Sequence, residues 1–292
     1  MTTKEIEQLL ESYAKSTDFP LDALRRLMRD KRQVTRQSER ARLSASQAPA
    51  KGFAPDEECV AFQRVLEKQR ELLRSLTPPT TIITLDHPDT IELSNNAFPV
   101  VLFEPFIGPF QSAARLIVDQ ASNPHTNSPV VTATYKWKNP SNQNFALIDV
   151  GTLLRVRGTW EIDSNSGTYI VFGSQNSLNI HADLTMKIND QIIFLAGNTH
   201  QLLVAEELTG DPIFFDPSSK SGSVFQAVGL DVDSIPIPPD ADVSFVVNLT
   251  VDCQLDSNAS LGDRVRADLG TFTDQALNQV QFPFLHVEVL TS

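Results

Sequence analysis

Cysteine is scarce in this chain of 292 residues, since only Cys59 and Cys253 occur and they lie far apart. A dense disulfide framework is therefore excluded, and the two cysteines lack the CxxC spacing of a zinc-binding pair. The five histidines form no HxH, HxxxH or HExxH pair, and sequences typical of a nucleophile elbow, a phosphate-binding loop or a dinucleotide-binding turn are missing too. The sequence therefore predicts no metal site, no cofactor and no catalytic residues, and we expect a protein that is not an enzyme.

Long apolar runs are missing as well. No stretch of about 18 apolar residues, the length that spans a bilayer as a helix, is present. The first ten residues, MTTKEIEQLL, are charged and lack the apolar core of a secretory signal. We therefore expect no transmembrane segment and a cytoplasmic location, with release or association with a particle as the alternative.

The charges are distributed unevenly along the chain, whose net charge is −12. Residues 1–76 hold 15 Lys/Arg and 12 Asp/Glu, a balance of +3, and the remainder holds 9 and 24, a balance of −15. Near this change, at residues 76–81, a proline pair indicates the end of a helix. The sequence predicts two parts, a helical arm over residues 1–79 and a β domain over residues 80–292.

The arm shows helical spacing of apolar residues, beginning with Ile6, Leu9, Leu10 and Tyr13. Its segment 21–51 is basic, with nine Lys/Arg against three Asp/Glu. Seven arginines define this basic segment: Arg25, Arg26, Arg29, Arg32, Arg36, Arg40 and Arg42. Such a segment favours nucleic acid or an acidic protein surface as partner, and a solvated helix or linker is the alternative. No aromatic residue alternates with the arginines, which argues against stacking on single-stranded bases.

The rest of the chain alternates between apolar and polar residues. This pattern is clearest in residues 130–138, 153–163, 177–188 and 242–255. One apolar face and one polar face are typical of antiparallel sheets that pack on each other. We therefore predict a mainly β fold, a large antiparallel β-sandwich that is jelly-roll-like and follows the α-helical arm. Cys253 falls on an apolar face, which predicts a buried, reduced thiol.

The segment FEPFIGPF, residues 103–110, combines apolar side chains with residues that interrupt regular structure. It separates two predicted strands, so we expect a corner at which the chain passes from one sheet to the other. Its large side chains could plug the end of the sandwich, form an interface with another protomer, or insert into a lipid surface. The interface candidates are Phe103, Phe106, Ile107 and Phe110.

Other polar residues suggest further candidate sites. Arg155 and Arg157 are predicted to face outward and to contact an acidic neighbour, with solvated charge as the alternative. His181 and Asp183 share the polar face of one strand, where a solvated face is the alternative to chemistry. The acidic residues of segment 230–243 could line a calcium site or an ordinary acidic loop, and they are Asp231, Asp233, Asp240 and Asp242.

These features favour a non-enzymatic structural or assembly protein that forms a homo-oligomer or a particle component. Its arm would dock neighbouring subunits, because so few large apolar residues bury little surface by themselves. A basic arm before a sandwich resembles spherical-virus coat proteins, and a helical N-terminus joined to a sandwich resembles some soluble bacterial toxins. No motif is diagnostic of either family. The alternative function is a toxin-like protein that binds glycan or membrane through loops at the ends of the sheets.

Overall fold

The computed structural model describes residues 80–94, 100–121, 126–141, 146–164, 175–189, 191–195, 199–208, 218–255, 263–271 and 278–291. The predicted helical arm and its basic segment lie outside these described residues. The described part contains fifteen β-strands and no helix. The strands are β1 (Thr80–Leu85), β2 (Thr90–Ser94), β3 (Val100–Phe106), β4 (Ala113–Ala121), β5 (Thr126–Asn127), β6 (Val130–Lys138), β7 (Ala146–Ser164), β8 (Gln175–Ile188), β9 (Gln191–Leu195), β10 (His200–Leu208), β11 (Ser218–Ile237), β12 (Asp242–Gln254), β13 (Arg264–Leu269), β14 (Gln279–Gln281) and β15 (Leu285–Thr291).

The strands form two antiparallel sheets. The first sheet has the order β1-β15-β7-β13-β4-β14, with β11 added to β7, β3 added to β4, and a further pairing between β7 and β14. The second sheet has the order β10-β8-β12-β6-β2, with β5 added to β12 and β9 added to β8. The prediction of a mainly β fold built from antiparallel sheets is confirmed.

The predicted alternation is present in the strands at the centre of the second sheet. One face of β8 is buried through Leu178, Ile180, Ala182, Leu184, Met186 and Ile188. The same holds for β12 and the residue after it, through Val243, Phe245, Val247, Leu249, Val251, Cys253 and Leu255. In β6 the buried side chains are Val131, Ala133, Tyr135 and Trp137. Successive side chains of a strand point to opposite faces, so each strand places one apolar face in the core.

Both sheets contribute to one hydrophobic core. Tyr135 of β6 is fully buried, and its hydroxyl donates a hydrogen bond of 3.0 Å to the carbonyl oxygen of Phe282, in the segment between β14 and β15. Burial raises the pKa of Tyr135, so the hydroxyl remains a donor. This bond satisfies a buried polar group and links the second sheet to the segment between β14 and β15 of the first.

Strand β7 is the central strand of the first sheet. It pairs with β11 along one side and with β15, β14 and β13 in succession along the other. The spacing predicts four inward side chains in β7, of which Leu154, Val156 and Ile162 are buried and Trp160 is half-buried and packs against the core. At Gly158 the strand lies so close to β13 that an added Cβ would be 2.4 Å from Cδ2 of Leu269. Only glycine fits this position without movement of β13.

The prediction that FEPFIGPF forms a corner between the sheets is wrong. Strand β3 continues to Phe106 and pairs with β4 in the same sheet, so residues 107–112 connect a hairpin. Pro105 fits within β3 because β3 is an edge strand, which pairs with β4 alone among the described strands. Phe110 adopts a φ of 58° in the connection, which is a left-handed conformation. The prolines and the glycine of the segment predict a turn but not this conformation at Phe110.

Cys253 is expected to be unreactive in the native protein. Its side chain is fully buried, and burial raises the pKa of the thiol, whereas thiol reagents attack the thiolate. In a Cys59→Ser variant, a chromogenic disulfide reagent should label Cys253 only after denaturant has unfolded the chain. Rapid labelling of the native variant would contradict the position of Cys253 in the core.

Candidate functional site

The hairpin between β3 and β4 presents apolar side chains at the surface. Phe106 is 58% exposed and Ile107 is 42% exposed, and we call these two residues the hairpin patch. Phe103 differs, because it is half-buried and packs against the core. Phe110 is half-buried as well. Of the four predicted interface candidates, the structure therefore brings two together at the surface, and the interface itself stays a prediction.

Hydrogen bonds within the connection hold the hairpin patch in place. The Gly108 N–H donates to the Ser112 hydroxyl oxygen at 3.1 Å, and that hydroxyl donates to the Gly108 carbonyl at 2.9 Å. The Phe110 N–H donates to the carbonyl of Asp86 at 2.6 Å, which ties the connection to the end of β1. The ring of Phe106 lies over Gly108, where an added Cβ would be 3.1 Å from its Cε1 atom. The patch is thus presented on an ordered turn.

The hairpin is also anchored to the neighbouring strands. Arg115 of β4 forms an ion pair of 2.5 Å with Glu104 of β3, its register partner. The same guanidinium donates from Nε to the carbonyl oxygen of Gly270, beyond the end of β13, at 2.6 Å. One side chain therefore connects three chain segments beside the hairpin patch, and this limits how far the patch can move.

Arg155 and Arg157 share the outward face of β7, where Arg155 is half-buried, and their contact with an acidic neighbour stays a prediction. Arg157 is exposed, and its Cζ atom lies 5.7 Å from the ring centroid of Phe225 in β11. Phe225 is the register partner of Arg157 and is 75% exposed. The attraction between a guanidinium and an aromatic face holds this exposed ring beside the arginine. Phe225 is not among the candidates predicted from the sequence. Alternation with the buried Val224 places its side chain on the outward face of β11.

Charged residues on the outward face of the first sheet join β4 to β13. Asp119 receives two hydrogen bonds from Arg264, of 2.8 Å to Oδ1 and 2.5 Å to Oδ2. The hydrogen bond from Arg264, reinforced by the charges of Arg264 and Arg266, holds the pKa of Asp119 below its usual value although partial burial opposes this. The bidentate geometry makes this pair a rigid connection between the strands.

Asp268, at the end of β13, organises the chain that follows. Burial opposes ionisation of its carboxyl group, but hydrogen bonds from Thr271, Gly270 and Arg266 outweigh that effect and lower the pKa. The Thr271 hydroxyl donates at 2.6 Å and its N–H at 2.9 Å. The carboxylate therefore stabilises the local turn, and these hydrogen bonds satisfy it in its buried position.

On the polar face of the second sheet, His181 and Asp183 of β8 contact different partners. His181 pairs with Asp252 of β12 across 3.3 Å, and Asp183 accepts a hydrogen bond of 3.0 Å from Asn248 of β12. Asn248 in turn accepts a hydrogen bond of 3.0 Å from the hydroxyl of Thr132 in β6. Each of the two side chains thus contacts the neighbouring strand β12. The hydrogen bonds through Asn248 connect β8, β12 and β6.

The acidic segment predicted as a loop is mostly strand. Asp231 and Asp233 belong to β11 and Asp242 begins β12, so the segment is irregular only at the bulge between Val232 and Ile235 and at the turn between the two strands. Asp240 lies in that turn with a φ of 57° and forms an ion pair of 2.9 Å with Lys138. Among the side chains that the structure describes, no group of three or more His, Cys, Asp or Glu residues could hold a metal ion.

Two further predictions concern the basic segment and a membrane-spanning helix. The seven arginines of the basic segment lie outside the described residues, so their contact with nucleic acid or an acidic surface stays a prediction. Within the described part, no helix is long and apolar enough to cross a membrane.

Comparison with known proteins identifies no family. No family model and no curated protein matches the chain. Among solved structures, TmCBM61 in complex with beta-1,4-galactotriose aligns over 70% of this chain and 89% of its own, with 10% identity and a TM-score of 0.16. A structure of infectious bursal disease virus aligns over 68% and 44%, with 12% identity and a TM-score of 0.14. A GH31 alpha-xylosidase from Xanthomonas citri aligns over 65% and 27%, with 7% identity and a TM-score of 0.10. Scores this low establish no shared fold, and nothing about ligand or assembly transfers to this chain.

The ion pair between Asp119 and Arg264 predicts a specific pH dependence of stability. The pKa of Asp119 is lowered in the folded state, so the pair stabilises the fold above the carboxyl's ordinary pKa of about 3.9 and the effect is lost as the pH falls through the folded-state value. Asp119→Asn should therefore lower the free energy of unfolding at about pH 7, and the difference from wild type should shrink towards about pH 3. Denaturant unfolding at both pH values measures it.

The matched control is Asp231→Asn, which removes an exposed carboxylate from β11. It should change the free energy of unfolding little at neutral pH, because exposed charges contribute little to stability. A deficit of Asp119→Asn that is equally large at both pH values would show that the substitution acts through packing and not through the ion pair.

Proposed function

We propose that this chain is a non-enzymatic structural subunit that assembles with copies of itself, as a homo-oligomer or a particle component. Residues 80–292 form the body, a jelly-roll-like sandwich, and the helical arm docks on neighbouring subunits. The observation that carries the proposal is the hairpin patch, two large apolar side chains held at the surface on an ordered turn. Apolar side chains that are fixed in an exposed position gain most from a partner that covers them.

The patch contributes to association but does not account for it alone. Covering the exposed parts of Phe106 and Ile107 stabilises a contact by at most about 5 kcal/mol, at about 25 cal/mol per Å². The loss of translational and rotational freedom on association costs about 4–15 kcal/mol. A stable assembly therefore needs further surfaces, and the proposal gives this role to the arm and to the face around Arg155 and Arg157.

The net charge restricts where two copies can meet. The chain after residue 76 carries a balance of −15, so most pairs of surfaces repel each other. The hairpin patch contains no charge, and Arg155 and Arg157 supply positive charge that suits an acidic neighbour. The basic segment 21–51 suits either an acidic body surface of another subunit or nucleic acid held by the assembly.

Replacing the hairpin patch should weaken assembly without unfolding the body. In the full chain, Phe106→Ser together with Ile107→Ser should leave the free energy of unfolding within about 1 kcal/mol, because both side chains are largely exposed already. Self-association measured by light scattering after gel filtration should fall about tenfold or more, since an interface residue of this kind contributes more than about 1.4 kcal/mol.

Val204→Ser is the matched control, because Val204 is 59% exposed and lies on β10 of the second sheet. It removes exposed apolar surface away from the hairpin and should leave association unchanged. Equal association of the double variant and wild type would reject the hairpin patch as an interface. A wild-type chain that stays monomeric and binds glycan or lipid vesicles would instead support the alternative, a toxin-like binding protein.

A further inference from the structure

Strand β11 is the longest strand of the described part and has a free edge there. It runs for 20 residues and pairs only with β7 among the described strands. Lys220 marks one end of the free stretch, because its ammonium group donates to the carbonyl of Glu206 in β10 at 3.3 Å. A bulge between Val232 and Ile235 marks the other end. Between them, the edge presents backbone N–H and C=O groups to a new strand.

Three other edge strands of the described part, β3, β10 and β2, carry features that hinder pairing with another strand. Strand β3 contains Pro105, the charge of Glu104 and a bulge. Strand β10 has a bulge and carries Glu206 and Glu207. Strand β2 has only five residues and includes Glu92. Prolines, charges, bulges and short lengths are the means by which proteins prevent association through strand edges.

Strand β11 lacks these features over residues 221–230, which contain no charge and no proline. The outward residues of this stretch are small except at its centre, and all are exposed: Ser221, Ser223, Phe225, Ala227 and Gly229. Phe225, with 75% exposure, is the most exposed large apolar side chain of the described part. An uncharged edge with an exposed aromatic side chain at its centre is suited to receive a strand.

We propose that the partner at this edge is a second copy of the chain, and that the two β11 strands pair antiparallel about a two-fold axis at Phe225. This inference rests on the proposed function and names the contact through which two subunits join. The pairing would make one continuous sheet from the first sheets of both copies.

The sequence around Phe225 suits pairing with itself. The axis places Ser223 opposite Ala227 of the second copy and Ser221 opposite Gly229 of the second copy, so small side chains leave room for the two phenylalanine rings. The nearest carboxylate of β11, Asp231, is six residues away, about 20 Å along the strand. For a chain with a net charge of −12, this edge is a surface on which two copies meet without facing acidic side chains.

Cysteine cross-linking tests both the partner and the register. Ser223→Cys and Ala227→Cys are made separately in full-length Cys59→Ser chains, one of them tagged, so that buried Cys253 is the only other thiol. When the two variants are co-expressed and oxidised, we expect a disulfide-linked heterodimer, because the introduced residues face each other. Each variant alone should stay un-cross-linked, since its two copies of the cysteine lie about 13 Å apart and a disulfide needs Cα atoms within about 7 Å.

Each outcome decides the inference. Cross-linking of either variant alone at the same level would reject pairing centred on Phe225. No heterodimer, although wild type associates by light scattering, would reject the β11 contact and leave the proposed function in place. No heterodimer together with a monomeric wild type would reject both.

Discussion

The arrangement of the first sheet depends on β7, which pairs with four other strands over its 19 residues. Residues 146–152 of β7 are buried on both faces, whereas from residue 153 onward its alternation buries one face and fixes which side chains of β11 and β13 point outward. Gly158 permits the close approach of β13 at the middle of the strand. Strand β7 positions both proposed contact surfaces. It pairs directly with β11 on one side, and on the other side it pairs with β13, which pairs with β4 of the hairpin.

The two proposed surfaces occupy different edges of the first sheet and differ in their physical chemistry. The hairpin patch offers apolar area beside a strand whose backbone edge is protected by Pro105 and Glu104, so it suits side-chain packing. The β11 edge offers backbone hydrogen-bonding groups around Phe225, so it suits strand addition. A subunit with two different contacts can join more than one neighbour, as a particle component requires.

The sequence predicted those parts of the fold that alternation determines, and missed those that depend on pairing. The apolar faces of β8 and β12 follow directly from period-two spacing. The prolines of residues 103–110 predict an interruption of the strand, but Pro105 is compatible with the edge strand β3, and edge position depends on which strands pair. Likewise His181 meets Asp252 and not Asp183, since a cross-strand register brings them together. Serine and glycine around Phe225 weaken the strand signal, so the sequence alone does not single out this residue.

The central claim is that the chain is a subunit of a larger assembly, and sedimentation equilibrium of the full chain tests it most directly. Salt screens the repulsion between acidic bodies, so the measurement is made over a wide range of concentrations at low and at physiological ionic strength. The account predicts a mass above the 32.3 kDa of one chain that rises with concentration towards a fixed multiple. A mass of 32.3 kDa at every concentration and ionic strength would contradict it.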